Sequence, residues 1–203
     1  MNLAIVGFGK IGRLLSRKLA DNKNIKLKMI VDVIEDINNL AYLVNYDSTY
    51  GIIRNKFFLK DNFFFYKKDK IEFKSTKNIL EIDWKRNKID LIIDCTGDNL
   101  NIIRGKKIVK QNKGIKYLIS HSNPKIKNDI IFGLNHKNIK KTDNLISTSI
   151  CDTNAIAHPL SWINEKFKIL SGSVTTLHPW LSYQNLIDGP AISTAYKNVV
   201  WKD

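Results

Sequence analysis

Asn2-Leu3-Ala4-Ile5-Val6-Gly7-Phe8-Gly9-Lys10-Ile11-Gly12 is the stretch that decides the fold. Residues 2–6 form a short apolar run that stops at Gly7, as a buried strand does. From Ile11 onward the apolar residues Ile11, Leu14, Leu15 and Leu19 recur at helical spacing. Between strand and helix lies Gly-x-Gly-x-x-Gly, here Gly7, Phe8, Gly9, Lys10, Ile11 and Gly12. A lone match to that pattern is weak, because glycines are common in turns. Here a second strand, Lys26 to Val33, carries Asp32, 20 residues past Gly12. Strand, glycine turn, helix and a carboxylate on the second strand are the context that dinucleotide binding requires. Glycines let the backbone approach a pyrophosphate at a helix N-terminus, where unpaired N–H groups and the helix dipole favour anions. A carboxylate at Asp32 accepts ribose hydroxyls and repels a 2′-phosphate, so NAD is expected over NADP.

Working outward, residues 36–46 read as a helix with Ile37, Leu40, Ala41 and Val44 on one face. Residues 50–75 are short, aromatic and lysine-rich (Phe57-Phe58, Phe63-Phe64-Phe65-Tyr66), a pattern of antiparallel strands or hairpins at a sheet edge. Asp90 to Cys95 reads as a buried strand running into Thr96-Gly97. A helix over 99–112 follows, then Gly114 and a strand from Lys116 to Ser120. Strands are also expected over 129–133, 145–148 and 169–177, with a helix over 152–166. Alternating strands and helices predict an α/β fold, a doubly wound and mostly parallel sheet of Rossmann type with helices on both faces. Residues 1–150 are read as this cofactor-binding domain and 151–203 as the start of an α+β catalytic domain.

The formal net charge of +14 sits mostly in the middle of the chain, where residues 51–141 carry 22 basic and 9 acidic side chains. Nearly all of the basic excess is lysine, 28 Lys against 5 Arg, while base and phosphate readers favour Arg forks. Together with abundant Ile and Asn, this reads as the imprint of an AT-rich coding sequence, and nucleic acid is not the expected partner. At 43% hydrophobic residues, wholesale disorder is excluded. Apolar runs as short as Leu91-Ile92-Ile93 predict no transmembrane helix, and no secretory leader is expected. Two cysteines, Cys95 and Cys151, are too few for a disulfide scaffold or a cysteine-based zinc site. The expectations are a reducing cytoplasm and no metal.

Cys151 stands where a strand end opens a helix, a position that exposes a thiol and favours the thiolate. A free cysteine is as readily a small buried apolar side chain, so spacing alone leaves both readings open. His178 follows 27 residues later. It reads either as a packing residue or as the partner of Cys151 in a thiolate–imidazolium pair.

Several segments taken in order resemble the glyceraldehyde-3-phosphate dehydrogenase family. They are Gly7 to Arg13, Asn45-Tyr46-Asp47-Ser48-Thr49-Tyr50-Gly51, Asp94-Cys95-Thr96-Gly97, Gly133-Leu134-Asn135-His136, Ser149 to Asn154 and Val174-Thr175-Thr176-Leu177-His178. The resemblance implies that Cys151 is a nucleophile that forms a thiohemiacetal with an aldehyde, later a thioester, and that His178 is its base. It implies NAD as cofactor, with Asp32 on the adenosine ribose and Thr96, Gly97 and Ser120 lining the cleft. Ser149, Asp152 and Thr153 become the expected substrate-contacting positions, and a homo-oligomer is the expected assembly of a full-length version.

Departures from the family pattern bear on the substrate. Where the family has Ser and Thr on either side of the nucleophile, this chain has Ile150 and Asp152. Beyond His178, Leu181 stands where the family holds substrate phosphate with a Thr. Swapping hydroxyls for alkyls and a carboxylate removes donors and repels a dianion. The chain also reaches Asp203 about where the family's large catalytic sheet begins. An aldehyde dehydrogenase is therefore weighed against a catalytically silent NAD-binding module, and both against a lysine-rich nucleic-acid binder that lacks a reader motif.

Overall fold

A computed structural model describes residues 1–123, 126 and 128–178. Its strands are β1 (Asn2–Val6), β2 (Lys26–Asp32), β3 (Tyr46–Asp47), β4 (Gly51–Ile52), β5 (Phe57–Lys60), β6 (Phe63–Tyr66), β7 (Asp69–Ser75), β8 (Leu91–Asp94), β9 (Lys116–Ile119) and β10 (Leu145–Ser147). Its α-helices are α1 (Lys10–Leu19), α2 (Ile37–Asn45), α3 (Asn99–Gln111) and α4 (Cys151–Phe167). Eight strands form one sheet in the order β10-β9-β8-β1-β2-β7-β6-β5. All pairings from β10 through to β7 are parallel, and β5 and β6 add an antiparallel hairpin outside β7. The expected doubly wound α/β sheet with an aromatic edge hairpin is what forms.

Period-2 alternation builds the two cores. Ala4, Val6, Met29, Val31, Ile92 and Tyr117 face one side, where Ile102 and Ile108 of α3 and the buried Trp84 cover them. Leu3, Ile5, Leu27, Ile30 and Ile93 face the other, packed with Leu15 of α1 and Leu40 and Val44 of α2. Burying both faces leaves the central strands as continuous apolar runs, as a parallel sheet requires. Asn45 ties α2 to the edge hairpin: its Nδ2 donates to Phe57 O at 2.8 Å and its Oδ1 accepts from Phe57 N at 2.7 Å.

Two expected strands do not form. Over 129–133 only Asp129 bridges, to Ser147. Asn135 captures backbone groups that a ladder would use, donating to Asp129 O at 2.9 Å and accepting from Ile131 N at 2.7 Å. Residues 168–178 belong to no helix or strand, and no strand lies beside them among the described residues. Leu170 and Leu177 are 98% and 93% exposed. Among the described residues no helix is long and apolar enough to cross a membrane.

Candidate functional site

Because β1, β2, β8, β9 and β10 run parallel, their carboxyl ends share one edge of the sheet. That edge carries Gly7 after β1, Asp32 ending β2, Cys95-Thr96 after β8, Ser120 after β9 and Cys151 beyond β10. In the order found, chain direction across the sheet switches beside β1, and open α/β sheets bind ligands at such a switch. A cleft of about 650 Å³ opens there, lined by Gly7, Gly9, Lys10, Ile11, Asp32 and Thr96 among others.

The three glycines do different work. Gly7 has φ +86°, and a Cβ on it would lie 2.8 Å from Thr96 N. A Cβ on Gly12 would lie 2.0 Å from Gly7 O, so this glycine lets α1 sit against the turn. A Cβ on Gly9 would meet nothing within 4 Å. Gly9 is the N-cap of α1, no side chain caps it, and the first turn holds no acidic residue. The helix end therefore offers N–H groups into the cleft, which suits the pyrophosphate of a dinucleotide.

Asp32 is held from three sides: Oδ2 accepts from Phe8 N, and Oδ1 accepts from Val33 N at 2.7 Å and Ile34 N at 3.0 Å. A carboxylate offers about four lone-pair sites, so capacity remains for a ribose hydroxyl. Thr96 is fixed by the buried Asp94, whose Oδ1 accepts from Thr96 N at 2.9 Å and from Thr96 Oγ1 at 2.6 Å. Tyr117 donates to the other oxygen of Asp94 at 2.7 Å, and burial with that negative neighbour raises its hydroxyl pKa.

Phe8 is buried beneath the turn, and Gly97, at φ +72°, continues from Thr96. Ser120 follows β9 and its N–H donates to Asp94 O at 2.9 Å, which sets it beside the end of β8 that leads into Cys95. Burial pushes the Cys95 thiol up to about 12, so it stays protonated near neutrality. Sequence reasoning missed Ile34, Thr76, Lys77 and Asn101 in the cleft wall. Their positions depend on how β7 and α3 approach, and no local pattern announces that.

A second constellation forms at the N-terminus of α4. Ser149 is buried with φ +62°, and its N–H donates to Ser147 Oγ at 3.0 Å. That left-handed turn carries the chain from β10 into α4 and leaves Cys151 exposed at the first helical position. Cys151 Sγ lies 4.0 Å from His178 Nε2 and 3.5 Å from Asp152 Oδ1. Asp152 Oδ1 is itself 2.8 Å from the same His178 nitrogen. The structure thus brings Cys151 and His178 together, with Asp152 between them. Asn154 anchors the turn, donating from Nδ2 to Thr148 O and Ile150 O, both at 2.8 Å. Leu181, expected near the substrate, lies outside the described residues.

A family model described as "Glyceraldehyde 3-phosphate dehydrogenase, NAD binding domain" matches residues 1–102, half of the chain. The chain belongs to the glyceraldehyde-3-phosphate dehydrogenase family. It carries that family's NAD-binding domain, and NAD is its cofactor. Glyceraldehyde-3-phosphate dehydrogenase of Mycoplasma pneumoniae is 32% identical over 191 residues, 94% of this chain and 56% of the relative. The enzyme of that name from Clostridium pasteurianum is 29% identical over 188 residues, 93% and 56% of the two chains. That from Colletotrichum lindemuthianum is 27% identical over 206 residues, 98% and 60%. The chain thus spans a little over half the length of these curated relatives.

Proposed function

We propose that this protein is an NAD-dependent oxidoreductase that oxidises an aldehyde through a covalent adduct on Cys151. The observation that carries this reading is the exposed Cys151 thiol at the α4 N-terminus, 4.0 Å from His178 Nε2, on the sheet edge that also bears the cofactor cleft. His178 takes the thiol proton, the sulfur adds to the aldehyde carbon, and the carbonyl oxygen gains a proton to give a thiohemiacetal. Bound NAD supplies the two-electron acceptor for oxidation to the thioester. His178 holds the hydroxyl proton released in that step. Water then adds to the thioester, freeing the acid and restoring the thiol. Residues 151–203 belong, in this reading, to the catalytic domain, and the working form is a homo-oligomer.

Release by water rather than by inorganic phosphate follows from Ile150 and Asp152. Two unit charges about 4 Å apart at an effective dielectric near 20 repel by about 4 kcal/mol, and exposure of Asp152 reduces that figure. Ile150 supplies no donor to offset it. The substrate is then an aldehyde without a phosphoryl group. A second reading, a catalytically silent NAD-binding module, draws on the closer approach of Asp152 than Cys151 to His178 Nε2.

NADH formation from glyceraldehyde and from glyceraldehyde 3-phosphate, each with and without inorganic phosphate, separates these readings. The expected result is oxidation of glyceraldehyde without phosphate, lost in Cys151→Ser. Dependence on phosphate with preference for the phosphorylated aldehyde would overturn the substrate assignment. No turnover in any arm, with NAD still bound, favours the silent module.

A further inference from the structure

Cys151, Asp152 and His178 bring a sulfur, a carboxylate oxygen and an imidazole nitrogen within 4.8 Å of one another. The separations are 3.5 Å for Sγ to Oδ1, 4.0 Å for Sγ to Nε2 and 2.8 Å for Oδ1 to Nε2. Both Sγ and Oδ1 address the same ring nitrogen, whose single N–H can serve only one of them well. A cation at the centre of the triangle would satisfy all three donors. Zinc takes these ligand types at roughly 2.0–2.3 Å, so adjacent tetrahedral corners lie about 3.3–3.7 Å apart. Shifts of under about 1 Å at exposed side chains bring the three atoms to that spacing.

We propose that Cys151, Asp152 and His178 form a three-ligand site for Zn²⁺ or a similarly thiophilic divalent cation, with the fourth position open to water. Thr176 Oγ1 donates to Asp152 Oδ2 at 3.4 Å, leaving Oδ1 turned toward the centre. The side chains of His178 and Asp152 are 42% and 35% exposed, so an ion enters from solvent without opening the fold. On binding, the Cys151 proton leaves to solvent, the sulfur–metal bond forms, and the metal keeps its divalent state. Counting cysteines could not reveal such a set, because its members come from two neighbouring residues and a histidine 27 positions on. Capping of the thiolate, and hence inhibition of aldehyde oxidation, rests on the function proposed above; the binding itself does not.

The test uses the metal-free 203-residue chain. Zn²⁺ binding is measured by competition with a chromophoric chelator, and Co²⁺ is added separately to read thiolate charge-transfer and four-coordinate visible bands. Cys151 alkylation by iodoacetamide, mapped by peptide, is followed with and without Zn²⁺; Cys95, pushed up to about 12 by burial, is the slow internal control. One Zn²⁺ per chain and strong protection of Cys151 are expected. Asp152→Asn and His178→Gln should each weaken binding by more than the roughly 10–100-fold that loss of an outer-shell partner costs. An unchanged thermal shift with NAD shows that both variants fold. Failure of the wild-type chain to bind, or wild-type affinity in either variant, overturns the three-ligand site. Zinc binding by a chain without turnover leaves the site standing and refutes only the oxidoreductase reading.

Discussion

Asp32 shows how one side chain selects a cofactor. Three backbone donors, from Phe8, Val33 and Ile34, hold its carboxylate in one orientation at the end of β2. A preorganised carboxylate loses little entropy on taking a ribose hydroxyl, and a 2′-phosphate would meet its charge directly. Lys77 in the same cleft wall works against that selection, because its ammonium attracts phosphate. NAD should therefore raise the melting temperature more than NADP at equal concentration. Asp32→Ala should narrow the gap and Lys77→Met should widen it. Equal shifts in the wild-type chain would refute Asp32 as the selector. Of these two residues only Asp32 was legible in the sequence, because its place follows from the spacing to Gly12. Lys77 enters through β7 pairing beside β2, a contact between residues more than 40 positions apart.

The turn from β1 into α1 separates folding from binding within one element. Gly12 has no room for a Cβ, 2.0 Å from Gly7 O, whereas Gly9 faces open space with φ −67°. Gly12→Ala must push α1 off the sheet, an overpacking cost of about 1–3 kcal/mol. At roughly 2–4 °C per kcal/mol for a chain of this size, calorimetry should show a clear fall in melting temperature. Gly9→Ala should cost less than about 1 kcal/mol in stability yet abolish most of the NAD-induced shift. If the two variants lose stability equally, the division of labour is wrong.

Elements of this kind were readable because a parallel sheet buried on both faces writes continuous apolar runs into the chain. Residues 129–133 and 169–177 carry similar runs and form no strand. In the first, the Asn135 side chain takes Asp129 O and Ile131 N–H, so pairing stops at the single Asp129–Ser147 bridge. The second has no neighbour to pair with among the described residues. Apolar composition says that a segment can pair, and only tertiary context supplies the partner.

At the scale of the molecule, burial divides the described chain unequally. The buried members of the two cores all lie in the first 126 residues, with Leu145 packed against one of them, while α4 buries none of its residues. Trp162 and Phe167 stand 64% and 80% exposed, and Pro159 interrupts the hydrogen-bond ladder inside the helix. Among the described residues α4 makes few tertiary contacts, His158 Nε2 to Phe132 O at 2.9 Å being one, so it gains little of the apolar burial that supplies most helical stability. If the chain divides near residue 150, strands of the NAD-binding domain should open only with global unfolding and α4 should open locally. Hydrogen exchange on the 203-residue chain should show peptides spanning 151–167 exchanging early, while those over β1, β2 and β8 stay protected until the whole domain unfolds. NAD, by binding the folded domain, should slow exchange in the strands by mass action. Protection of α4 equal to that of β1 would mean that the helix belongs to the same cooperative unit, and the boundary near 150 would have to be abandoned.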